Sequence, residues 1–518
     1  MCNETISFCI FVIGLGFSTH FRVARREAAA LYFKEDMHKR ILTLLALCSL
    51  IICSCDKIND EPTPSPEKPT PSPEKPTPEK PTPEKPTPDK PSTDDGLSYV
   101  WDFDIIPEIT ISLTPEEWQR LLSTYDKDNK TKAYFHCDVT YKKGDDVWNI
   151  TNAGVRLRGN TSRRRPESGT HQTEGADWHH CHFGLNLRKF EKDKDHEING
   201  IRKMTLKWFN NDPTYIREPF CFDLFNRAGI WTASRICYAR VWIHVQGDTK
   251  PAYFGVYSLI EPYDNKYIDR KKEKFGSTDG NLWKCTYTAN GPADLRSTNA
   301  NFGEDDNIHE YTYELKETVG TFEDAKAQLQ DFIAKLNGKG DESFKKWISE
   351  VCDVDLLMRT YAVNVAVGMW DDMWNNGNNY YLYFNSLDKL NYKVFFIPYD
   401  YDNTLGTSNC YDPAKQSPTQ WGGMGKLMER LIRIPEFKQI YVDELKRLVA
   451  PGNGLMDYDS ATNRIKEWQK RISDFVPNDT GEDMSIKDEA ASWSNCRYRL
   501  LGTSNNYFIE KAKAINSL

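Results

Sequence analysis

From about residue 97 the chain alternates short apolar runs of strand periodicity with longer stretches whose apolar residues recur at helical spacing. Thr114-Pro115-Glu116-Glu117 forms a capping box with proline at the first helical position, and it opens a short helix carrying Trp118, Leu121 and Leu122. Strands are predicted over 133–141, 147–157, 182–189 and 203–208. Asp212-Pro213 is expected to start a helix through Phe225 and Asn226 that stops at Gly229. Pro219 should kink it, because proline deletes a backbone donor. Strands over 237–245 and 252–260 complete a mostly β first half.

The second half opens with a Gly/Asn/Asp-rich insert over 286–307. Helical spacing then runs over 322–336 and 354–369, followed by two strand-like runs, 380–384 and 392–397, joined by a polar turn. Everything after about Gln420 reads as helix, with apolar spacing at Met424, Leu427, Leu431 and again at Ile465, Trp468, Ile472. A β-rich half followed by an α-rich half predicts a two-lobed α+β protein, with residues 97–285 as the first lobe and 286–518 as the second. A cleft between the lobes is the expected ligand site.

The front of the chain is different in kind. Residues 37–55 join a basic patch at His38, Lys39 and Arg40 to a short apolar run closing on Ile52-Cys53-Ser54-Cys55. That is a secretory signal of the lipoprotein type, with Cys55 as the lipidated residue, and its apolar run is too short to span about 30 Å of hydrocarbon comfortably. Residues 1–36 precede this second start at Met37 and read as a mis-called extension. Residues 56–96 form a Pro-rich linker, in which Glu61 to Pro91, with repeated Pro-Thr-Pro-Glu-Lys units, is an expected polyproline II stalk reaching roughly 90 Å at about 3.1 Å per residue. The expected product is therefore held to an outer membrane, cell surface or periplasmic face by lipid on Cys55.

Composition narrows the class. Fourteen Trp, 26 Tyr and 25 Phe supply enough apolar area for one large core or two adjoining ones, which excludes wholesale disorder. The formal charge of -8 argues against a nucleic-acid partner. No CxxC pair follows the leader, and export permits disulfides without requiring them. His171, His179, His180 and His182 gather near Cys181, yet they straddle a loop and an alternating strand and lack tetrahedral zinc spacing.

Three polar clusters interrupt apolar segments. Arg156-Leu157-Arg158-Gly159-Asn160-Thr161-Ser162 ends a strand with guanidinium groups, a flexible glycine and hydroxyls, which are donors suited to phosphate oxygens. Asp371-Asp372-Met373-Trp374-Asn375-Asn376-Gly377-Asn378-Asn379 connects a helix to a strand. Its carboxylates could take a hydroxyl proton while an amide oxygen holds a divalent ion. In the third, an apolar strand delivers Asp400 and Asp402 at alternate positions, a hard-metal site in outline. The same string fits the Asp-x-Asp-x-Thr-Leu pattern of haloacid-dehalogenase-like phosphatases, with Asp400 as nucleophile and Asp402 as acid/base, although that fold places its motif on a parallel sheet.

Taken in order, these segments resemble the spore-coat protein H (CotH) kinase-like family. The resemblance runs from about Ile111 to Gly406 and includes Arg156–Ser162, Arg188-Lys189-Phe190, Asn211-Asp212-Pro213-Thr214 with Arg217-Glu218, Gly255-Val256-Tyr257, Gly280-Asn281-Leu282-Trp283-Lys284, Asn379–Tyr383 and Pro398–Asp402. It implies a two-lobed protein-kinase-like fold using ATP and Mg²⁺ or Mn²⁺. Arg158, Asn160 and Ser162 would cover the phosphates, and Lys189 would pair with them and with Glu218. Asp371, or its neighbour Asp372, would orient or deprotonate an acceptor hydroxyl. Asn376, Asn379, Asp400 and Asp402 would hold the metal. The implied function is transfer of the γ-phosphoryl of ATP to Ser or Thr of a protein substrate. A non-catalytic surface protein binding a glycan or protein ligand stays open, as does the phosphatase reading.

Overall fold

The computed structural model describes residues 97–518 apart from 193–194, 307–308, 409–410 and 490–497, so the leader, Cys55 and the Pro-rich linker lie outside the described residues. A short helix α1 (Ser98–Trp101) leads into β1 (Glu108–Leu113), whose alternating burial matches its EITISL sequence. Helix α2 (Pro115–Lys127) follows as expected, with Thr114 accepting a hydrogen bond from the Glu117 amide and Trp118, Leu121 and Leu122 buried. β2 (Phe135–Lys143) alternates buried and exposed positions along its length and pairs antiparallel with β3 (Asp146–Arg158). β4 (His182–Asn186) and β5 (Lys203–Lys207) continue the sheet.

Helix α3 begins at Arg217 and ends at Arg227, five residues later than its expected start. The Asp212 carboxylate explains the delay: it accepts from the Thr214 amide at 3.1 Å, from Ile216 at 3.1 Å and from Arg217 at 2.9 Å, holding 212–216 as a turn. Pro219 thus falls at the third helical position, where the amide has no intrahelical partner, and the expected kink has no cause.

β6 (Ile236–Val245) and β7 (Ala252–Ile260) close a seven-stranded barrel in the order β1-β2-β3-β4-β5-β7-β6. Closure depends on β1, which sequence periodicity missed: Ile109 lies beside Val241 and Ile111 beside Ile243 in a parallel pairing with β6. The interior is filled by Ile109, Ile111, Val139, Phe183, Leu206, Val241 and their neighbours. At about 1.5–3 kcal/mol for each large apolar side chain removed from water, this interior is the main support of the barrel.

After the short helices α4 (Asn265–Arg270) and α5 (Lys272–Phe275), β8 (Asn281–Cys285) enters a second sheet with β9 (Phe302–Glu304) and β10 (Tyr313–Thr318). Helices α6 (Phe322–Gly338), α7 (Asp341–Val351), α8 (Val354–Ala366) and α9 (Met373–Asn376) come next, before β11 (Tyr380–Phe384) and β12 (Val394–Pro398) complete that sheet in the order β12-β11-β8-β10-β9. The second sheet thus begins with β8, ahead of residue 286. Helices α10 (Lys426–Leu431), α11 (Pro435–Val449), α12 (Tyr458–Ile472) and α13 (Tyr507–Asn516) follow. The expectation of continuous helix after Gln420 fails between α12 and α13, where described residues form a strap along the barrel. Asp479 exchanges hydrogen bonds with Tyr253 at 2.8 Å, and Glu482 grips Arg164 at 2.7 and 2.9 Å.

A second apolar core joins α3, the second sheet and the later helices. Six cysteines, Cys137, Cys181, Cys221, Cys237, Cys285 and Cys352, are buried free thiols. No described helix is long and apolar enough to cross a membrane.

Candidate active site

Two chain reversals meet at one end of the β11–β12 hairpin. Tyr380 pairs with Pro398, so Asn379 just before β11 and Asp400 just after β12 are brought to the same edge. Both adopt left-handed backbone, φ 56° for Asn379 and 64° for Asp400, a strained conformation that Asn and Asp tolerate best. Facing them, β5 ends at Lys207 and α3 carries Glu218 in its first turn.

The Lys207 ammonium meets all three carboxylates. It lies 3.0 Å from Glu218 Oε2 and 3.1 Å from Asp402 Oδ2, and it also bonds Asp400 Oδ1. Burial disfavours the Lys207 charge, but the surrounding carboxylates outweigh it and hold the ammonium well above its ordinary pKa. Three anions on one cation are not balanced. Burial, with Asp400 and Asp402 nearby, pushes Glu218 up to about 8 against the opposing pull of Lys207. Asp402 is pushed by burial and by Asp400 to about 6. Asp400, the carboxylate bonded to Lys207 most directly, is held below the usual range despite its burial.

Beside this cluster, Asp371 sits in a cage of amides. Asn376 Nδ2 donates to its Oδ1 at 2.5 Å, Asn378 Nδ2 to the same oxygen at 3.0 Å, and Asn379 Nδ2 to Oδ2 at 3.1 Å. Burial raises its pKa, and the amides only partly offset that. Asp372 turns away from the cleft: it caps α9 through the Asn375 amide at 2.7 Å and accepts from Asn364 inside the core. Geometry therefore separates two carboxylates that sequence left equivalent, and Asp371 is the one lining the cleft.

The cleft has a volume of about 830 Å³ and is lined by β3, β4, β5, the β8–β10 face and both reversals. Arg158 reaches across its roof; a Cβ on Gly184 would come within 2.8 Å of the Arg158 Cδ, so the glycine makes room for it. Gly159 to Ser162 fold over the opening, with Asn160 exposed and held by Lys130. Ser162 Oγ lies 3.1 Å from His182 Nε2.

Lys189 does not join this group. The expected pairing with Glu218 is made by Lys207, while Lys189 is exposed and lies over the Tyr134 ring at 4.9 Å. The cause is where β4 stops: it ends at Asn186, so Lys189 follows in a turn beyond the strand. Lys207 had a legible signal, a lysine ending a strand just before Asn211-Asp212-Pro213. The remaining expected residues, Arg158, Asn160, Ser162, Glu218, Asp371, Asn376, Asn379, Asp400 and Asp402, all border the same cleft. The phosphatase reading finds no support in the topology, because β12 is an edge strand whose neighbour among the described strands, β11, runs antiparallel to it.

No grouping of three His, Cys, Asp or Glu with metal-holding geometry occurs among the described residues. The donor chemistry nevertheless fits a hard cation, since Asp400 and Asp402 share one ammonium with Glu218, and burial together with the neighbouring carboxylates displaces Glu218 and Asp402 upward.

A lysine–glutamate pair, strand-end aspartates and a desolvated aspartate around one open cleft are the parts of a kinase-like protein. The family model for CotH kinase protein matches residues 155–504, and the chain belongs to that family. No curated protein matches it.

Proposed function

We propose that the protein is an atypical, metal-dependent kinase that transfers the γ-phosphoryl of ATP to Ser or Thr of a protein, exported as a lipoprotein and held to a membrane through Cys55. The observation that carries this reading is the convergence of Lys207, Glu218, Asp400 and Asp402 beside Asp371 in one cleft. In this reading the barrel and the second sheet with its helices are the two lobes of a kinase-like fold.

Lys207, steadied by Glu218, binds phosphate oxygens, and Arg158 with Ser162 closes over them. Asp371 accepts the acceptor hydroxyl proton on Oδ2, the oxygen that takes one amide hydrogen bond where Oδ1 takes two. The acceptor oxygen bonds to the γ-phosphorus as the bridging oxygen to the β-phosphorus departs with ADP. Asp400 and Asp402, with the Asn379 and Asn376 amide oxygens at hand, would hold Mg²⁺ or Mn²⁺, which would supply charge neutralisation for the phosphates.

The test incubates the mature chain with γ-labelled ATP, Mg²⁺ or Mn²⁺ and a Ser/Thr-containing acceptor protein, beside Asp371→Ala and Asp400→Ala. Label transfer lost in both variants supports the reading. Transfer unchanged in both would sink it, and nucleotide binding without transfer in the parent chain would favour a non-catalytic surface protein.

A further inference from the structure

His182 opens β4 beneath the Gly159–Ser162 loop and is buried, with only 3% of its surface exposed. Both of its ring nitrogens are engaged. The Trp208 backbone amide donates to Nδ1 at 3.1 Å, so Nδ1 is an acceptor and carries no proton. Nε2 then carries the proton of the neutral ring, and its partner at 3.1 Å is Ser162 Oγ. Burial, reinforced by the Lys207 and Arg158 cations, keeps the imidazole neutral by holding its pKa well below the ordinary value.

The consequence concerns the serine. With Nε2 donating, Ser162 Oγ accepts from the ring and keeps its own hydroxyl hydrogen for another partner. Among the described residues Ser162 Oγ has no other hydrogen bond, and it borders the cleft. The loop is built to hold this contact: Gly159 has φ of +100°, and a Cβ there would meet Ser162 Oγ at 2.8 Å and His182 Cδ2 at 3.1 Å. The Trp208 amide that fixes the ring belongs to the residue after Lys207, so one imidazole ties the loop to the strand end carrying the central ammonium.

We propose that His182 is a positioning residue that makes Ser162 an obligate hydrogen-bond donor to an anionic oxygen in the cleft, and sets that donor in register with Lys207. The inference rests on the reading of the cleft as a phosphate site and adds to it the group that orients the loop hydroxyl. His182 itself touches no substrate.

The experiment measures ATP binding with Mg²⁺, and adenosine binding in parallel, for the full mature chain and for Ser162→Ala, His182→Asn, His182→Gln and the Ser162→Ala/His182→Asn double variant. An asparagine oxygen can replace Nδ1 as acceptor for Trp208 without reaching Ser162; a glutamine amide can replace Nε2 as donor. Thermal melting confirms that each variant is folded, and His182→Gln carries the test if the Asn variant is not. Loss of one hydrogen bond to a charged oxygen weakens binding by about ten- to a hundredfold, so Ser162→Ala and His182→Asn should each lose that much ATP affinity. The double variant should lose no more than either, His182→Gln should stay near the parent, and adenosine binding should not change. Losses that multiply in the double variant, a Gln variant as weak as Ser162→Ala, or equal losses for adenosine would overturn the inference while leaving the phosphate site intact. Absence of ATP binding in the parent chain would overturn the functional reading and this inference with it.

Discussion

Two charge clusters line the same cleft and differ in their balance. Around Lys207 one ammonium serves Glu218, Asp400 and Asp402. Against the second sheet, Lys132 and Lys316 serve Asp305 and Glu314: Lys132 lies 3.4 Å from Asp305 and 3.3 Å from Glu314, and Lys316 lies 2.8 Å from Glu314 and bonds Asp305. In the balanced cluster burial pushes both carboxyls up, but Lys316 and the neighbouring lysines outweigh it and hold Asp305 and Glu314 below the usual range. In the Lys207 cluster burial, with the neighbouring carboxylates, displaces Glu218 and Asp402 upward, to about 8 and about 6, while Lys207 holds Asp400 below the usual range. A protein that needed only to pin its cleft walls would settle for the first arrangement. The second carries an excess of carboxyl groups that a cation, if one binds as proposed, would relieve.

The largest expected effect comes from removing the central ammonium. Lys207→Met should lower phosphoryl transfer by about 10²–10³-fold, the scale of losing one preorganised charge at a transferring group. Lys316→Met leaves Lys132 with both carboxylates and should leave transfer near the parent level. A radiolabel assay of both variants decides the point, and equal losses would erase the distinction between the clusters.

Metal should tell the clusters apart next. Saturating Mg²⁺ or Mn²⁺ should raise the unfolding temperature of the parent chain, by an amount equivalent to about 2.7 kcal/mol at 100 times the dissociation constant. Chelation should reverse the shift. Asp400→Asn should abolish most of it and Asp305→Asn none; a shift that survives Asp400→Asn places the ion elsewhere.

Much of this was legible in sequence, and the misses have physical causes. Strand β2 announced itself through alternation, β4, β5 and β7 as short apolar runs, and the Thr114 cap fixed α2. β1 was overlooked because a six-residue strand between a short helix and a capping box gives little period to count, yet it closes the barrel. At the site, Asp400 and Asp402 were plain from an apolar run ending in alternate carboxylates. Asp371 and Asp372 could not be told apart, since adjacent residues differ only in where the chain turns, and the αL cap at Gly377 behind α9 sets that turn. Lys189 was expected beside Glu218 from the family resemblance alone, but β4 stops at Asn186, and it is Lys207, at the end of β5, that reaches Glu218.

Stability against pH should divide the clusters in sign. Glu218 and Asp402 have folded pKa values above their unfolded ones, so the folded chain holds extra protons between about pH 4, the ordinary carboxylate range, and the folded values of about 8 and 6. Their contribution to stability therefore falls as pH rises through that window. Asp305 and Glu314 have depressed values, so their contribution is present above the ordinary carboxylate range and is lost as pH falls through the folded values. Urea unfolding from pH 5 to 8 should show declining stability in chelator and a flatter profile in saturating Mg²⁺. A slope indifferent to metal would mean that the ion does not neutralise the Lys207 cluster.

The smallest effect is expected from Lys189→Ala. Its ammonium is exposed and its contact is the Tyr134 face at 4.9 Å, an interaction of about 0.5–1 kcal/mol at such sites. Arg156 covers the same ring at 5.3 Å and remains in the variant, so the ring keeps one of its two cations. Denaturant unfolding should change by no more than that amount, with nucleotide affinity and phosphoryl transfer unmoved. A loss of transfer approaching that of Lys207→Met would return Lys189 to the phosphate-binding role that its sequence neighbourhood suggested, and would require β4 to continue past Asn186 when ligand is bound.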